Sequence, residues 1–520
     1  MGANRSASSR TLPQARRRLA THPSIPSLKR EGRPGDTESA VDYSCPMTTR
    51  YTHDALVLGA GSAGLTAAGG LAMFGLNVAL IERDRMGGEC LNTGCVPSKA
   101  LLAAAHHAQT IRDAARFGIH ASDPTTDFAA VRAHIRHAIE TLEPEDSVER
   151  FEGMGVDVVR GDATLVDARR LRVVDSNGAG RELSAPRLVL ATGSDPAVPP
   201  IDGLADGPFL TNETLWDLDA LPEHLLILGA GNIGCEMGQA FRRLGSEVTV
   251  VDTGRPLSRD DAEAAAIVQA TLEGEGVRFV TGQAASVSHG GGVTLTLEGG
   301  KALTGSHLLV AAGRRARVEG FGLENTGVTL GDNGIVVDAR RRTNVPGVYA
   351  VGDCREGPRL THAAGRDGSA VAVEIGLGVP SPVDDDVLPW VTFTSPELAQ
   401  VGLTEAAARE RGWDVTVERQ DFAHNDRAVT EGRTAGFLKV VRRGRSVVGA
   451  TIVGGGAGEM LLPWSQIIAG KASPFALASS VVAYPTRSEM SKAAAFAMNE
   501  KLVFGAVPKW WAGRLARWRR

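Results

Sequence analysis

Asp54-Ala55-Leu56-Val57-Leu58-Gly59-Ala60-Gly61-Ser62-Ala63-Gly64 is the stretch from which the fold is read. Residues 54–58 have the length and apolar character of a buried strand. The glycines then open a small-residue segment that reads as a helix to about Gly75. A second apolar run, Val78-Ala79-Leu80-Ile81, ends at Glu82. Strand, glycine turn, helix, strand and terminal acid together make a dinucleotide-binding βαβ unit. Gly59 permits the tight turn, Gly61 lets a pyrophosphate approach the helix N-terminus, and Gly64 lets helix and strand pack closely. Glu82 is placed to accept ribose hydroxyls. A glycine-rich turn in an unrelated α/β protein explains the turn but neither the acid nor the spacing.

The pattern returns downstream. Leu225-Leu226-Ile227-Leu228 is followed by Gly229-Ala230-Gly231-Asn232-Ile233-Gly234, and Val248-Thr249-Val250-Val251 ends at Asp252. The expected fold is therefore α/β, with two Rossmann-like dinucleotide-binding units, and two cofactors in one chain imply electron transfer between them. Asp252 would pair with 2′ and 3′ ribose hydroxyls and repel a 2′-phosphate, which favours NADH. Arg255 and Arg259 lie within reach of such a phosphate and temper that preference.

After the first unit comes Gly87-Gly88-Glu89-Cys90-Leu91-Asn92-Thr93-Gly94-Cys95-Val96-Pro97-Ser98-Lys99, running into the apolar segment Ala100–Ala105. This reads as a loop entering a helix, with both cysteines near its N-terminus. There the unpaired N–H groups and the helix dipole favour a thiolate, and a nearby Lys99 lowers a thiol pKa further. A zinc site needs more ligands than this pair and the isolated Cys45, Cys235 and Cys354 provide. A structural disulfide has little purpose in a long chain without a secretory signal. Redox exchange is the better reading.

GGECLNTGCVPSK resembles the redox-disulfide motif of class I pyridine nucleotide-disulfide oxidoreductases, a family that includes dihydrolipoyl dehydrogenase, glutathione reductase and mercuric reductase. The resemblance runs from about Tyr51 to about Glu500. It implies FAD in the first unit, NAD(P)H in the second, and a C-terminal α+β dimerisation domain. The implied divisions are 51–200 and 319–387 for FAD, 201–318 for NAD(P), 388–500 for dimerisation and 501–520 for a basic aromatic tail. The Ala191-Thr192-Gly193 segment resembles the crossing out of the FAD domain, and Gly313 closes the second unit. Gly352-Asp353 resembles the second FAD segment, whose aspartate contacts the ribityl–pyrophosphate portion; Thr361 and His362 follow where the chain passes the flavin. By resemblance Cys95 is the flavin-proximal charge-transfer thiol, Cys90 the interchange thiol that meets substrate, and Glu236 the partner of Lys99 beside the flavin. From spacing alone, Glu236 reads equally as an ordinary surface acid. Cys354 reads as a buried bystander.

The resemblance also implies an obligate homodimer in which each site borrows residues from the partner. Disulfide reductases of the family carry His-Pro-Thr near the C-terminus, with a glutamate after it. Here the sequence is Tyr484-Pro485-Thr486-Arg487-Ser488-Glu489. A phenol with a pKa near 10 is a poor base at neutral pH, so proton transfer to a dithiol should suffer by about 100- to 10,000-fold. Mercuric reductases also lack this histidine and can carry tyrosine, because a soft metal between thiolates needs ligands and electrons rather than a proton shuttle. The C-terminal cysteine pair typical of those enzymes is absent here. Three functions are carried forward: a mercuric-reductase-like enzyme acting on a metal ion or small-molecule acceptor, a dihydrolipoyl dehydrogenase or other disulfide reductase, and a low-turnover FAD-binding redox sensor.

The totals agree with this. A chain of 520 residues, 43% hydrophobic and 22% charged, suits a multidomain globular protein. A net charge of −4 points away from nucleic acid. No apolar run is long enough to span a bilayer, and five cysteines suggest a reducing, cytoplasmic setting. His106, His107, His134 and His137 fall in a helical stretch over 100–150 without acids in ligand spacing, and read as solvated or packing residues. Residues 1–50, rich in Arg, Ser and Pro, read as a disordered or non-native extension; a transit peptide is the other reading. For the tail Lys509-Trp510-Trp511-Ala512-Gly513-Arg514-Leu515-Ala516-Arg517-Trp518-Arg519-Arg520, a disordered end is preferred and an interfacial helix on an anionic membrane is the minority reading.

Overall fold

The computed structural model describes residues 51–520, apart from the side chains of 501 and 502; the expectations for residues 1–50 lie outside it. The first unit runs β1 (Ala55–Leu58), α1 (Ser62–Met73), β2 (Val78–Glu82), α2 (Cys95–Asp113), α3 (Phe128–Leu142), β3 (Asp157–Arg160) and β4 (Leu188–Leu190). The helical stretch expected over 100–150 is broken. A 3-10 turn at Ala114–Phe117 ends on Gly118 at φ 78°, and Asp127 starts α3 by accepting from Ala130 N.

The second unit follows as β5 (His224–Leu228), α4 (Asn232–Leu244), β6 (Glu247–Asp252), β7 (Val277–Thr281) and β8 (His307–Val310). The chain then returns to the first unit through β9 (Val348–Ala350) and α5 (Thr361–Leu377). Strands in the first sheet lie in the order β9-β4-β1-β2-β3 and in the second β7-β6-β5-β8, all parallel. Helix α1, backed by α5, covers one face of the first sheet and a three-stranded antiparallel sheet over residues 162–184 covers the other, so all of β1 is buried, which is why these strands read as continuous apolar runs.

The C-terminal part is an antiparallel sheet of β10 (Pro389–Thr392), β11 (Glu397–Gly402), β12 (Thr416–Asp421), β13 (Phe437–Arg443) and β14 (Ser446–Gly454), ordered β10-β11-β14-β13-β12. Two helices, α6 (Glu489–Phe504) and α7 (Ala506–Trp518), close the chain. The preferred disordered end is therefore replaced by a helix. One apolar core joins Leu101 of α2, Phe241 of α4, and Leu398, Phe437 and Val453 of the C-terminal sheet. No described helix is long and apolar enough to cross a membrane.

The two dinucleotide turns are near copies. Gly59 and Gly229 have φ of 106° and 111°, left-handed values that a side chain would strain. A Cβ on Gly64 would stand 1.8 Å from the Gly59 carbonyl oxygen, and one on Gly234 1.9 Å from that of Gly229. Overpacking of this kind costs roughly 1–3 kcal/mol or more. Gly64→Ala should therefore strip the expected flavin absorbance from the purified protein. Gly234→Ala should keep it and weaken NADH binding in a fluorescence titration. Loss of flavin from Gly234→Ala would show that the two turns are not independent.

Candidate active site

A cavity of about 700 Å³ runs from Glu82 along the first dinucleotide turn to the two thiols. Gly61 leaves it open: a Cβ there would meet nothing nearer than Gly88 Cα, at 4.0 Å. Gly88 needs its own lack of a side chain, since its Cβ would stand 2.7 Å from Gly61 Cα. The redox loop is thus seated directly against the phosphate turn. The N-terminus of α1, Thr192, Gly193 and Asp353 line the same space, which suits a long dinucleotide with a flavin at the thiol end. Glu82 does more than face a ribose. Its Oε2 accepts from Ala60 N at 2.6 Å and its Oε1 from Asp84 N at 2.8 Å. Asp252 repeats this in the second unit, accepting from Ala230 N at 2.7 Å and Gly254 N at 3.0 Å. Each acid holds its own turn in shape. Gly231 meets open space, so the second turn is also free to receive a phosphate.

Cys90 sits on a single helical turn, Gly88–Asn92, and Cys95 is the first residue of α2. Both are half-buried free thiols. Cys95 Sγ lies 3.2 Å from Thr361 Oγ1. A hydrogen bond from Cys90, helped by Thr361 and the Lys99 charge, holds Cys95 down to about 6 against its burial. The same shared proton, together with burial, pushes Cys90 strongly upward. At neutral pH the pair is one thiolate, at Cys95, and one thiol, at Cys90. Cys235 and Cys354 are fully buried, and burial raises both thiols.

Lys99, one turn into α2, donates to Glu236 Oε2 at 2.9 Å. Glu236 is 5% exposed, so the surface-acid reading fails. Its second oxygen accepts from Phe393 N at 2.9 Å, and the Phe393 ring lies 4.5 Å from Lys99 Nζ. Further along α4, Gln239 accepts from Ser395 N and donates to Ser395 O, at 2.7 and 2.8 Å. Arg243 forks onto Glu275. Glu236, Gln239 and Arg243 thus form a polar ladder down a buried helix face. Their spacing of three and four residues was the available signal for a built contact, though not for its partner.

A second polar cluster was not foreseen. Arg314 forks onto Glu89, beside Cys90, and donates to Ser194 Oγ at 2.9 Å. Ser194 Oγ donates to Asp353 Oδ2 at 2.7 Å, and Asn212 donates to Glu89 Oε1 at 2.8 Å. Burial raises the Glu89 pKa, partly offset by Arg314. Thr192 Oγ1 donates to Arg317 O at 2.7 Å, tying the crossing segment to the strand after Gly313. Behind Asp353, Arg341 and Arg355 share Asp367 and Asp385, and Asp367 Oδ2 accepts from Gly352 N at 3.1 Å. His362 meets the Pro389 carbonyl at 2.6 Å.

Tyr484 and Glu489 do not line the cavity. Tyr484 is 72% exposed and donates to Asp426 Oδ2 at 2.8 Å, which raises its pKa. Glu489 Oε2 accepts from Thr486 N at 3.2 Å. Among the described residues no His, Cys, Asp and Glu cluster suits a metal. His107, His134 and His137 are exposed and His106 half-buried.

Two dinucleotide units and a thiol pair at the end of the first unit's cavity define a dithiol electron-transfer enzyme. Residues 53–368 match the pyridine nucleotide-disulphide oxidoreductase family, and residues 388–495 match that family's dimerisation domain. The chain belongs to this family of FAD-dependent, NAD(P)H-linked oxidoreductases, and the dimerisation domain indicates a homodimer. It is 36% identical over 452 residues to a mercuric reductase of Streptomyces lividans, and 35% identical over 452 residues to a dihydrolipoyl dehydrogenase of Geobacillus stearothermophilus. Each match covers 85% of this chain and 95% of the relative. The structure of LpdA from Mycobacterium tuberculosis aligns with a TM-score of 0.80 at 30% identity, covering 86% of this chain and 99% of that one.

Acid should neutralise Cys95. In the two-electron-reduced enzyme, long-wavelength thiolate-to-flavin absorbance is expected at neutral pH and should fade with a midpoint of about 6. Lys99→Met removes a cation and should move the midpoint up. Glu236→Gln removes an anion that raises the Cys95 pKa and should move it down. Shifts of the same sign would overturn this account of the pair.

Proposed function

We propose that this enzyme passes electrons from NADH, through its thiols, to a soft metal ion of the mercuric type. The observation that carries the reading is Tyr484, standing where the family's disulfide reductases have a histidine. Its hydrogen bond to Asp426 raises its pKa, so it is a protonated phenol at neutral pH and no general base. A metal acceptor asks for no base. FAD bound in the cavity supplies the two-electron relay between the nicotinamide and the thiols. Cys95 keeps the thiolate beside the relay, and Cys90 meets the acceptor. A soft cation displaces the Cys90 proton and lies between two sulfurs. Overall, NADH and the divalent ion give NAD⁺, the metal atom and one proton. Lys99 and Glu236 fix the charge beside the thiolate.

On this reading residues 51–200 and 319–387 bind FAD, 201–318 binds the nicotinamide nucleotide and 388–500 forms the dimer. Tyr484 and Glu489 act in the partner's site. NADH is preferred because Asp252 faces the second turn, while Arg255 is committed to the carbonyls of Pro256, Leu257, Ser258 and Asp260. The five cysteines support a cytoplasmic setting. Dihydrolipoyl dehydrogenase activity is the second reading, supported by the Geobacillus relative.

The two readings separate in steady-state assays. Hg²⁺-dependent NADH oxidation is expected to exceed lipoamide-dependent oxidation. Tyr484→His should raise lipoamide turnover by about 100-fold or more, since a general base contributes about 100- to 10,000-fold. Fast lipoamide turnover by the unmodified enzyme, with no response to Hg²⁺, would sink the metal reading.

A further inference from the structure

The last helix is outside everything the redox chemistry uses. The family's dimerisation domain is matched only to residue 495, and α7 lies beyond it. Val507, Trp511, Leu515 and Trp518 recur at three- and four-residue intervals and so share one face. That face is uncovered: Val507 is 75% exposed, Trp511 57% and Trp518 83%. Exposed Phe504, with its ring 5.9 Å from that of Phe496, extends the apolar surface at the α6–α7 junction. Lys509 occupies the opposite face, and Arg514, Arg517 and Arg519 lie to either side of the apolar one. The Arg514 guanidinium lies 4.8 Å from the Trp510 ring centre. Residues 506–520 hold five cationic side chains and no carboxylate, in a chain whose net charge is −4.

We propose that α7 lies on an anionic lipid surface, its Trp511 and Trp518 face turned into the headgroup region and its arginines on lipid phosphates. Indole rings with one apolar body and one N–H prefer that boundary, and flanking arginines can sink their stems while keeping the charge at the surface. A second copy of the chain is the weaker occupant. An isologous contact through this face would bring the two sets of arginines together without any acid to offset them. An anionic bilayer supplies the opposite charge to every one.

The test is co-sedimentation of the FAD-loaded full-length protein with vesicles at low salt. Protein should pellet with vesicles of phosphatidylcholine and phosphatidylserine, and roughly tenfold less with phosphatidylcholine alone or after salt is raised to about 0.5 M. Deletion of 506–520 should abolish pelleting while leaving NADH oxidation in solution unchanged. So should Arg514→Gln with Arg517→Gln and Arg519→Gln, or Trp511→Ser with Trp518→Ser. The proposal is overturned if the full-length protein stays in the supernatant, or if it pellets equally with neutral vesicles. It is overturned too if the deletion turns a dimer into a monomer on light scattering, which would assign the face to a second copy.

Discussion

The ion pair between Lys99 and Glu236 is where the three parts of the chain meet. Lys99 belongs to the redox helix, Glu236 to the helix of the second dinucleotide unit, and Phe393, held by the other Glu236 oxygen, to the connection between β10 and β11 of the C-terminal sheet. Lys99 is 39% exposed and solvent screens part of the pair, so removing the cation would leave Glu236 short of one partner at a cost of roughly 1–3 kcal/mol. The cost fixes geometry more than it adds stability. With Glu236 held, the thiolate at Cys95 stays at a set distance from a fixed cation, and the nucleotide helix stays in register with the redox helix. Gln239, bonded at both ends to the Ser395 backbone, makes that joint resistant to sliding.

The two dinucleotide turns show how one local solution serves two cofactors. In each, the acid that ends the second strand first holds the glycine turn by accepting a backbone N–H, at 2.6 Å for Glu82 and 2.7 Å for Asp252. The turn is therefore organised before any ribose arrives, which lowers the ordering cost of binding. The asymmetry lies in what surrounds the turns. The first is pressed against the redox loop through Gly61 and Gly88, whereas the second faces open space at Gly231. A tightly held cofactor and an exchanging one are what these two settings suit.

The features legible in the sequence were local ones. Both βαβ units, the thiol pair and the helix that follows are set by residues within about thirty positions of one another, a span that periodicity and glycine spacing can report. Glu89 and Arg314 had no such signature. Their fork joins parts of the chain that meet where residues 314–316 pair antiparallel with residues 194–196. The break after Asp113 was hidden because Phe117 and Ile119 continue an apolar pattern, while Gly118 was the signal to stop. The closing helix stood in the sequence only as the minority reading of the tail, because a short basic and aromatic end fits disorder as well as a helix. Pro508 sits in its first turn, where its missing N–H breaks no helical hydrogen bond, and the alanines, Lys509, Arg514, Leu515 and Arg517 are good helix formers. The hydrogen bond of Tyr484 to Asp426 joins residues 58 positions apart, a contact that no local pattern encodes.

Arg341, Arg355 and Asp367 are buried and, with half-buried Asp385, form one ion cluster that reaches two distant parts of the chain. Asp367 holds the backbone of Gly352, next to the cavity-lining Asp353, and Asp385 lies on the linker into the C-terminal domain. The same two arginines serve both. One ion cluster therefore clamps the backbone beside the cavity and the linker at once, so a change that breaks it disturbs both ends together.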